Sequence, residues 1–201
     1  MMIGVVDYEA GNLKSVELAL RHIGVDFYIS KDPEKLLSAD RMIFPGVGEA
    51  QSSMEVLDRT GLGDAVKEFA ASGKPLLGIC IGCQILFDFS EERNTDCLGI
   101  IPGKVLEFSS DMGLKVPHMG WNQVSHLGRH PIFDGIDDDS AFYFVHSYYP
   151  SPASNDAEIG RTEYGIEFSS AVAKNNVVAT QFHPEKSGEI GLKLLKNFIS
   201  L

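Results

Sequence analysis

Pro75-Leu76-Leu77-Gly78-Ile79-Cys80-Ile81-Gly82-Cys83-Gln84 is the stretch on which the fold turns. Pro75 to Ile79 is a short apolar run suited to a buried strand, and Ile81 to Phe89 reads as an apolar helix, so Cys80 stands at the junction. Glycines two positions to either side remove the Cβ atoms that would collide at so sharp a turn. In this setting a G-x-S-x-G elbow presents its nucleophile at the top of a sheet, with sulfur here in place of oxygen. The N–H groups and dipole at the start of the helix favour the thiolate. Two other readings stay open at this point: a buried packing cysteine, and a thioredoxin-like redox pair of Cys80 with Cys83.

Outward from the elbow, strand and helix patterns alternate. Met2 to Asp7 reads as a strand, and Asn12 to Ile23 as a helix with Leu13, Val16, Leu20 and Ile23 at helical spacing. Asp26 to Ser30 and Arg41 to Phe44 read as strands, with helices at Asp32 to Ser38, Glu49 to Arg59 and Gly61 to Ser72. The alternation predicts an α/β fold, a mostly parallel central sheet flanked by helices on both faces. Beyond about residue 100 the pattern becomes β-rich and points to an added antiparallel portion: Lys104 to Phe108, Asn122 to Ser125, Ala141 to His146, Glu158 to Glu163 and Ser170 to Ala173. Asn175-Asn176 reads as a hairpin turn, and Ser187 as the cap of a last helix reaching Ser200. With no repeat or linker in view, residues 1–201 are expected to form one domain.

Composition excludes several classes of function. The 201 residues are 44% hydrophobic and 22% charged, ordinary for a globular chain and far from disorder. Lys and Arg number 17 against 28 Asp and Glu, a formal charge of -11, and no basic run offers a face for nucleic acid. The longest apolar stretch, Pro75 to Phe87, falls well short of the roughly 20 residues of a membrane helix. Ile3 to Val6 has no positive flank, which argues against a secretory signal. Three cysteines are too few for a disulfide framework, so a reducing cytoplasm is expected. There is no second CxxC and no paired-His spacing, so neither a metal nor a cofactor is expected, and Asp137-Asp138-Asp139 reads as a solvated loop.

A thiolate acyl-transfer site also needs a base, an orienter for it and donors for an oxyanion. In Gln181-Phe182-His183-Pro184-Glu185, residues two apart in an extended chain share a side, which puts the Glu185 carboxylate beside the His183 imidazole. Pro184 biases His183 toward extended backbone. Phe44-Pro45-Gly46-Val47-Gly48 ends another strand, and its glycines free the Val47 N–H to join that of Ile81 in an oxyanion hole.

PGVG at 45–48, GICIGCQ at 78–84 and HPEKS at 183–187, in the order Cys, His, Glu, resemble the class I, triad-type glutamine amidotransferases. Asp7 to Asn12, Pro117 to Asn122 and Tyr143 to Tyr148 narrow the resemblance, end to end, to members that serve a histidine-biosynthesis cyclase. The resemblance implies glutamine hydrolysis, with Cys80 attacking the carboxamide carbon, His183 carrying the proton to the departing ammonia and Glu185 orienting His183. It implies that Gly46, Gly48, Gln84, Ser147 and Tyr148 hold the glutamine. It implies a (β/α)8-barrel cyclase as partner in a heterodimer, met by Asn12, Met119, Gly120, Trp121, Asn122, Tyr143 and Lys186. Ile81, Cys83 and Ser147 stand where relatives often carry Leu, Met and Thr, changes that keep the backbone donor at 81 and a hydroxyl at 147.

Overall fold

The structure, a computed structural model, describes residues 1–9 and 11–201. The first half follows the predicted alternation: β1 (Ile3–Val6), α1 (Leu13–Ile23), β2 (Phe27–Ser30), α2 (Pro33–Leu37), β3 (Arg41–Gly46), α3 (Ala50–Thr60), α4 (Leu62–Ala71), β4 (Leu76–Cys80) and the single-turn α5 (Ile81–Gln84). Short strands β5 (Phe89–Ser90), β6 (Thr95–Asp96) and β7 (Gly103–Glu107) follow. The second half runs β8 (His118–His126), β9 (Ser140–His146), β10 (Tyr148–Pro152), β11 (Glu158–Glu163), β12 (Glu167–Lys174), β13 (Val177–Thr180) and α6 (Gly188–Ser200).

Among the described residues, nine strands form one mixed sheet in the order β2-β1-β3-β4-β13-β12-β11-β8-β9. From β2 to β13 the pairing is parallel. From β13 to β9 it is antiparallel. A second small sheet joins β10, β7, β5 and β6. The parallel strands are apolar on both faces because helices cover both. Val5, Ile43, Leu77 and Ile79 pack with Val16, Leu20, Leu194 and Leu195 of α1 and α6. Met42, Phe44 and Leu76 pack on the opposite face with Leu36, Leu57, Val66 and Phe69 of α2, α3 and α4.

Three details depart from or refine the sequence reading. The helix expected through Phe89 stops at Gln84, because the carbonyls of Ile85, Leu86 and Phe87 accept N–H groups from Leu98 to Ile101 instead of continuing the helical ladder. The residues Ile85, Leu86 and Phe87 are all fully buried, so no solvent face remains for an amphipathic helix. The expected hairpin is present, with Lys174 opposite Val177 and Asn175 at φ 54°. Ser187 precedes α6 but its hydroxyl makes no cap; it donates to the His183 carbonyl at 2.6 Å and accepts the Tyr143 N–H at 3.0 Å.

Candidate active site

The sheet order brings the three motifs together at the carboxyl ends of the parallel strands, where open α/β sheets bind ligands. β3 and β4 are neighbours with Gly46 opposite Cys80, so the PGVG turn lies beside the elbow. β13 lies on the other side of β4, with Thr180 opposite Ile79, so residues leaving β13 arrive alongside Cys80. Gln181, 101 residues further on in sequence, thereby donates from Nε2 to Cys80 Sγ at 3.7 Å.

Cys80 adopts φ 55° and ψ -108°, a left-handed backbone that a non-glycine residue holds at a cost of roughly 1–3 kcal/mol. The turn survives because α5 lies directly on β3: a Cβ on Gly82 would fall inside the Phe44 carbonyl. Cys80 and Cys83 pack in different apolar clusters, on opposite faces of the sheet. Burial pushes the Cys83 thiol well above its ordinary range. The geometry therefore leaves the redox pairing without support.

The side chain of His183 is fully buried, as is that of Glu185. Its Nδ1 stands 2.7 Å from Glu185 Oε1, and its buried Nε2 has no hydrogen-bond partner among the described residues. Burial alone would discharge the ring, but Cys80 and Glu185 outweigh it and raise the His183 pKa to about 10. The loop that carries the ring is pinned to β9 by the His183 N–H donating to the Tyr143 carbonyl at 2.9 Å, and by Ser187.

A cavity of about 270 Å³ opens over Cys80. Val47, Gly48 and Ile81 line one side, and Gln84, Ser147 and Tyr148 the other. Gly48 sits at φ 116°, a backbone conformation that leaves its peptide links free to glycine alone. His183 and Glu185 are not part of the lining. Glu92, which the sequence reading did not single out, puts a carboxylate in the lining; Oε2 accepts the Ala50 N–H at 2.6 Å. Only the close approach of the 92–94 turn to α3 reveals it. Gln181 was equally overlooked, although it stands two residues before His183 and so on the same side of the chain. Besides Sγ it holds Gln84, whose Nε2 donates to Gln181 Oε1 at 2.9 Å.

Three expected positions turn out differently. Gly46 does not line the cavity; it lies buried at the end of β3, where the Tyr8 hydroxyl occupies the place a Cβ would take. Asn12, expected at the partner face, turns inward and donates to Glu185 Oε1 at 2.5 Å. Asn122 also faces inward, because alternation along β8 points Met119 and Trp121 to solvent and His118 and Asn122 to the interior. Met119 and Trp121 are 60% and 58% exposed, and Trp121 lies opposite Tyr143 with ring centroids 6.1 Å apart. Gly120, between them, holds φ 129°. Lys186 is exposed next to Glu185.

The sequence relationships agree with the geometry. Residues 4–201 match the profile of the class-I glutamine amidotransferases. The chain belongs to this family. The glutamine amidotransferase chain is 50% identical over 201 residues to imidazole glycerol phosphate synthase subunit HisH of Dehalococcoides mccartyi, covering all of this chain and 97% of that one. It is 47% identical over 212 residues to the subunit of the same name from Neisseria meningitidis, with both chains covered completely. The fold is shared with a crystal structure of a glutamine amidotransferase (TM-score 0.77, 20% identity, 98% of this chain and 97% of that chain covered). It is shared too with PurLQS from Thermotoga maritima (TM-score 0.76, 19% identity, 99% and 97% covered).

Proposed function

We propose that this amidotransferase is the glutaminase subunit of an imidazole glycerol phosphate synthase, working in the cytoplasm as a single domain over residues 1–201. It hydrolyses L-glutamine to glutamate and ammonia. The ammonia passes to a (β/α)8-barrel cyclase subunit, which forms imidazole glycerol phosphate and aminoimidazole carboxamide ribotide in histidine biosynthesis. The observation that carries this reading is a cavity that opens over Cys80, with His183 bonded to Glu185 beside it and contributed by a segment far away in the chain.

His183 takes the Cys80 thiol proton, and the raised pKa of its ring, about 10, favours the imidazolium that results. The thiolate attacks the carboxamide carbon, and the N–H groups of Val47 and Ile81 receive the developing oxyanion. As the C–N bond breaks, His183 gives its proton to the nitrogen and ammonia departs, leaving a glutamyl thioester. Neutral His183 then takes a proton from water; the hydroxide adds, the C–S bond breaks, and the thiolate returns with release of the γ-carboxyl group. Glu185 keeps the ring oriented throughout, and Asn12 holds Glu185. Gly48, Gln84, Ser147 and Tyr148 surround the substrate, and Glu92 supplies the negative charge that an α-ammonium group requires. The exposed Met119, Trp121 and Lys186, with the half-buried Gly120 and Tyr143, form the face for the cyclase.

The test is glutamate release from L-glutamine, with and without the cyclase and its ligand. Release stimulated by the partner, absent in Cys80→Ala and reduced by about two to four powers of ten in Glu185→Gln, is expected. Full stimulated activity in Cys80→Ala would refute the assignment.

A further inference from the structure

A chain of polar groups runs through an otherwise aromatic layer, from the inner side of β8 to the wall of the cavity. Asn122 Nδ2 lies 3.2 Å from His118 Nε2, His118 Nδ1 lies 2.8 Å from His146 Nε2, and His146 Nδ1 lies 2.8 Å from the Tyr148 carbonyl. That carbonyl also accepts Gln84 Nε2 at 2.9 Å. The shell is apolar: His118 stacks between Phe144 and Tyr164, with centroids 4.9 and 4.0 Å away, and His146 packs on Phe108 and Phe168.

Only one arrangement of protons satisfies every contact. A carbonyl oxygen can only accept, so His146 carries its proton on Nδ1 and presents a lone pair at Nε2. His118 must then donate from Nδ1 and accept at Nε2. The amide that faces His118 cannot be reversed, because Asn122 Oδ1 accepts the Gln123 N–H at 2.8 Å and Nδ2 also donates to the Glu163 carbonyl at 2.9 Å. A second proton on either ring would set two N–H groups against each other. Burial acts the same way, holding His118 down to about 4 and His146 to about 3.

We infer that His118 and His146 are positioning residues, an uncharged pair locked in a single tautomer that fixes the Tyr148 carbonyl and, through it, Gln84 and the 147–148 wall of the glutamine site. The assignment of this wall to glutamine rests on the function proposed above. The pairing of the protons does not.

Two measurements test it. In the ¹⁵N spectrum of histidine-labelled wild-type protein at neutral pH, both rings are expected to be neutral, protonated at Nδ1 and bare at Nε2. An imidazolium or the opposite tautomer at either ring overturns the inference, whatever the enzyme does with glutamine. The second compares His118→Phe, which conserves ring stacking but removes the donor, with His118→Asn, which loses volume but keeps a donor at the Nδ1 position. With the cyclase present, His118→Phe is expected to raise the KM for glutamine about tenfold while kcat changes far less, and His118→Asn to recover most of the loss. A purely packing role predicts the reverse order, and that order, or equal KM values, would overturn the relay. A wild-type enzyme that turns over no glutamine would instead count against the proposed function, leaving the spectrum to judge the pair.

Discussion

Gly82 and Gly63 both lie in helices, yet alanine is expected to act in opposite directions at the two sites. A Cβ built on Gly82 falls 1.8 Å from the Phe44 carbonyl oxygen and 2.8 Å from its carbon. Contacts under 3.0 Å are essentially never made by real Cβ atoms, so α5 and β3 must part by about 1.2 Å (3.0 less 1.8). Both sides of the collision are backbone, and Phe44 is held in register opposite Gly78, so no side-chain rotation relieves it. Overpacking of this kind costs about 1–3 kcal/mol or more, against roughly 1 kcal/mol gained from helix propensity. The displaced segment carries the Ile81 N–H and the Cys80 sulfur, and a misplacement of about 1 Å in reacting groups costs on the order of a hundredfold in rate. At Gly63 the nearest atoms are Leu98 Cδ2 at 3.4 Å and Leu57 Cβ at 3.5 Å, ordinary contacts. Gly63→Ala should therefore stabilise by about 0.5–1 kcal/mol, worth about 1–4 °C in Tm for a chain of this size. Urea midpoints and thermal unfolding measure the first effect. Glutamate release per Cys80, counted by titration with a glutamine-like electrophile in the presence of the cyclase, measures the second. A Gly82→Ala protein with the wild-type midpoint and turnover would refute the packing argument at the elbow.

The proposed docking face and the buried histidines give two further expectations. Trp121→Ala should weaken binding of the cyclase by at least 2 kcal/mol, about thirtyfold, as for a central aromatic anchor. The 58% exposure of Trp121 predicts an unchanged Tm in the free subunit, and calorimetric titration showing unchanged affinity would remove it from the interface. Stability should peak near pH 6.5 in denaturant titrations. Below it, His118 and His146 stay neutral when folded but charge on unfolding, so stability falls toward pH 4; above it, His183 keeps its proton up to about pH 10 while the unfolded ring has lost it, so stability falls again. Each proton contributes a slope of about 1.4 kcal/mol per pH unit, and His118→Asn should flatten the acid limb alone.

What the sequence revealed and what it hid follow from the range of the interactions involved. The elbow, the hairpin at Asn175-Asn176 and the pairing of His183 with Glu185 are set by neighbours one to four residues apart, and all three could be read directly. The end of α5 could not, since the groups that terminate it arrive from Leu98 to Ile101. Gly46 looked like part of the substrate loop because its neighbours are; its true constraint is a tyrosine hydroxyl delivered from β1's far end. Ser187 had the residue type and position of a helix cap, but a long-range use for its hydroxyl, fastening the His183 loop to Tyr143, took precedence.

The same alternation that makes β8 and β9 strands also divides their labour. On one side Met119 and Trp121 stand beside Val145 and Tyr143, and this side borders the cavity: Val145 lines it, and its carbonyl accepts the Cys80 thiol at 3.9 Å. On the other side His118, Asn122, Phe144 and His146 form the interior that fixes Tyr148. A strand with period two can therefore meet a partner with one set of side chains and hold the substrate wall with the other. A slip of one residue between β8 and β9 would exchange the two sets, burying Trp121 and exposing the histidine pair, so the register of this edge hairpin is under the joint demand of core packing and catalysis. Tyr143 lies where those demands meet: its ring faces Trp121, while its backbone carbonyl and N–H hold His183 and Ser187. Any displacement of β9 by a bound subunit would thus move the base, directly through the His183 N–H bond to the Tyr143 carbonyl and indirectly through the Ser187 hydroxyl.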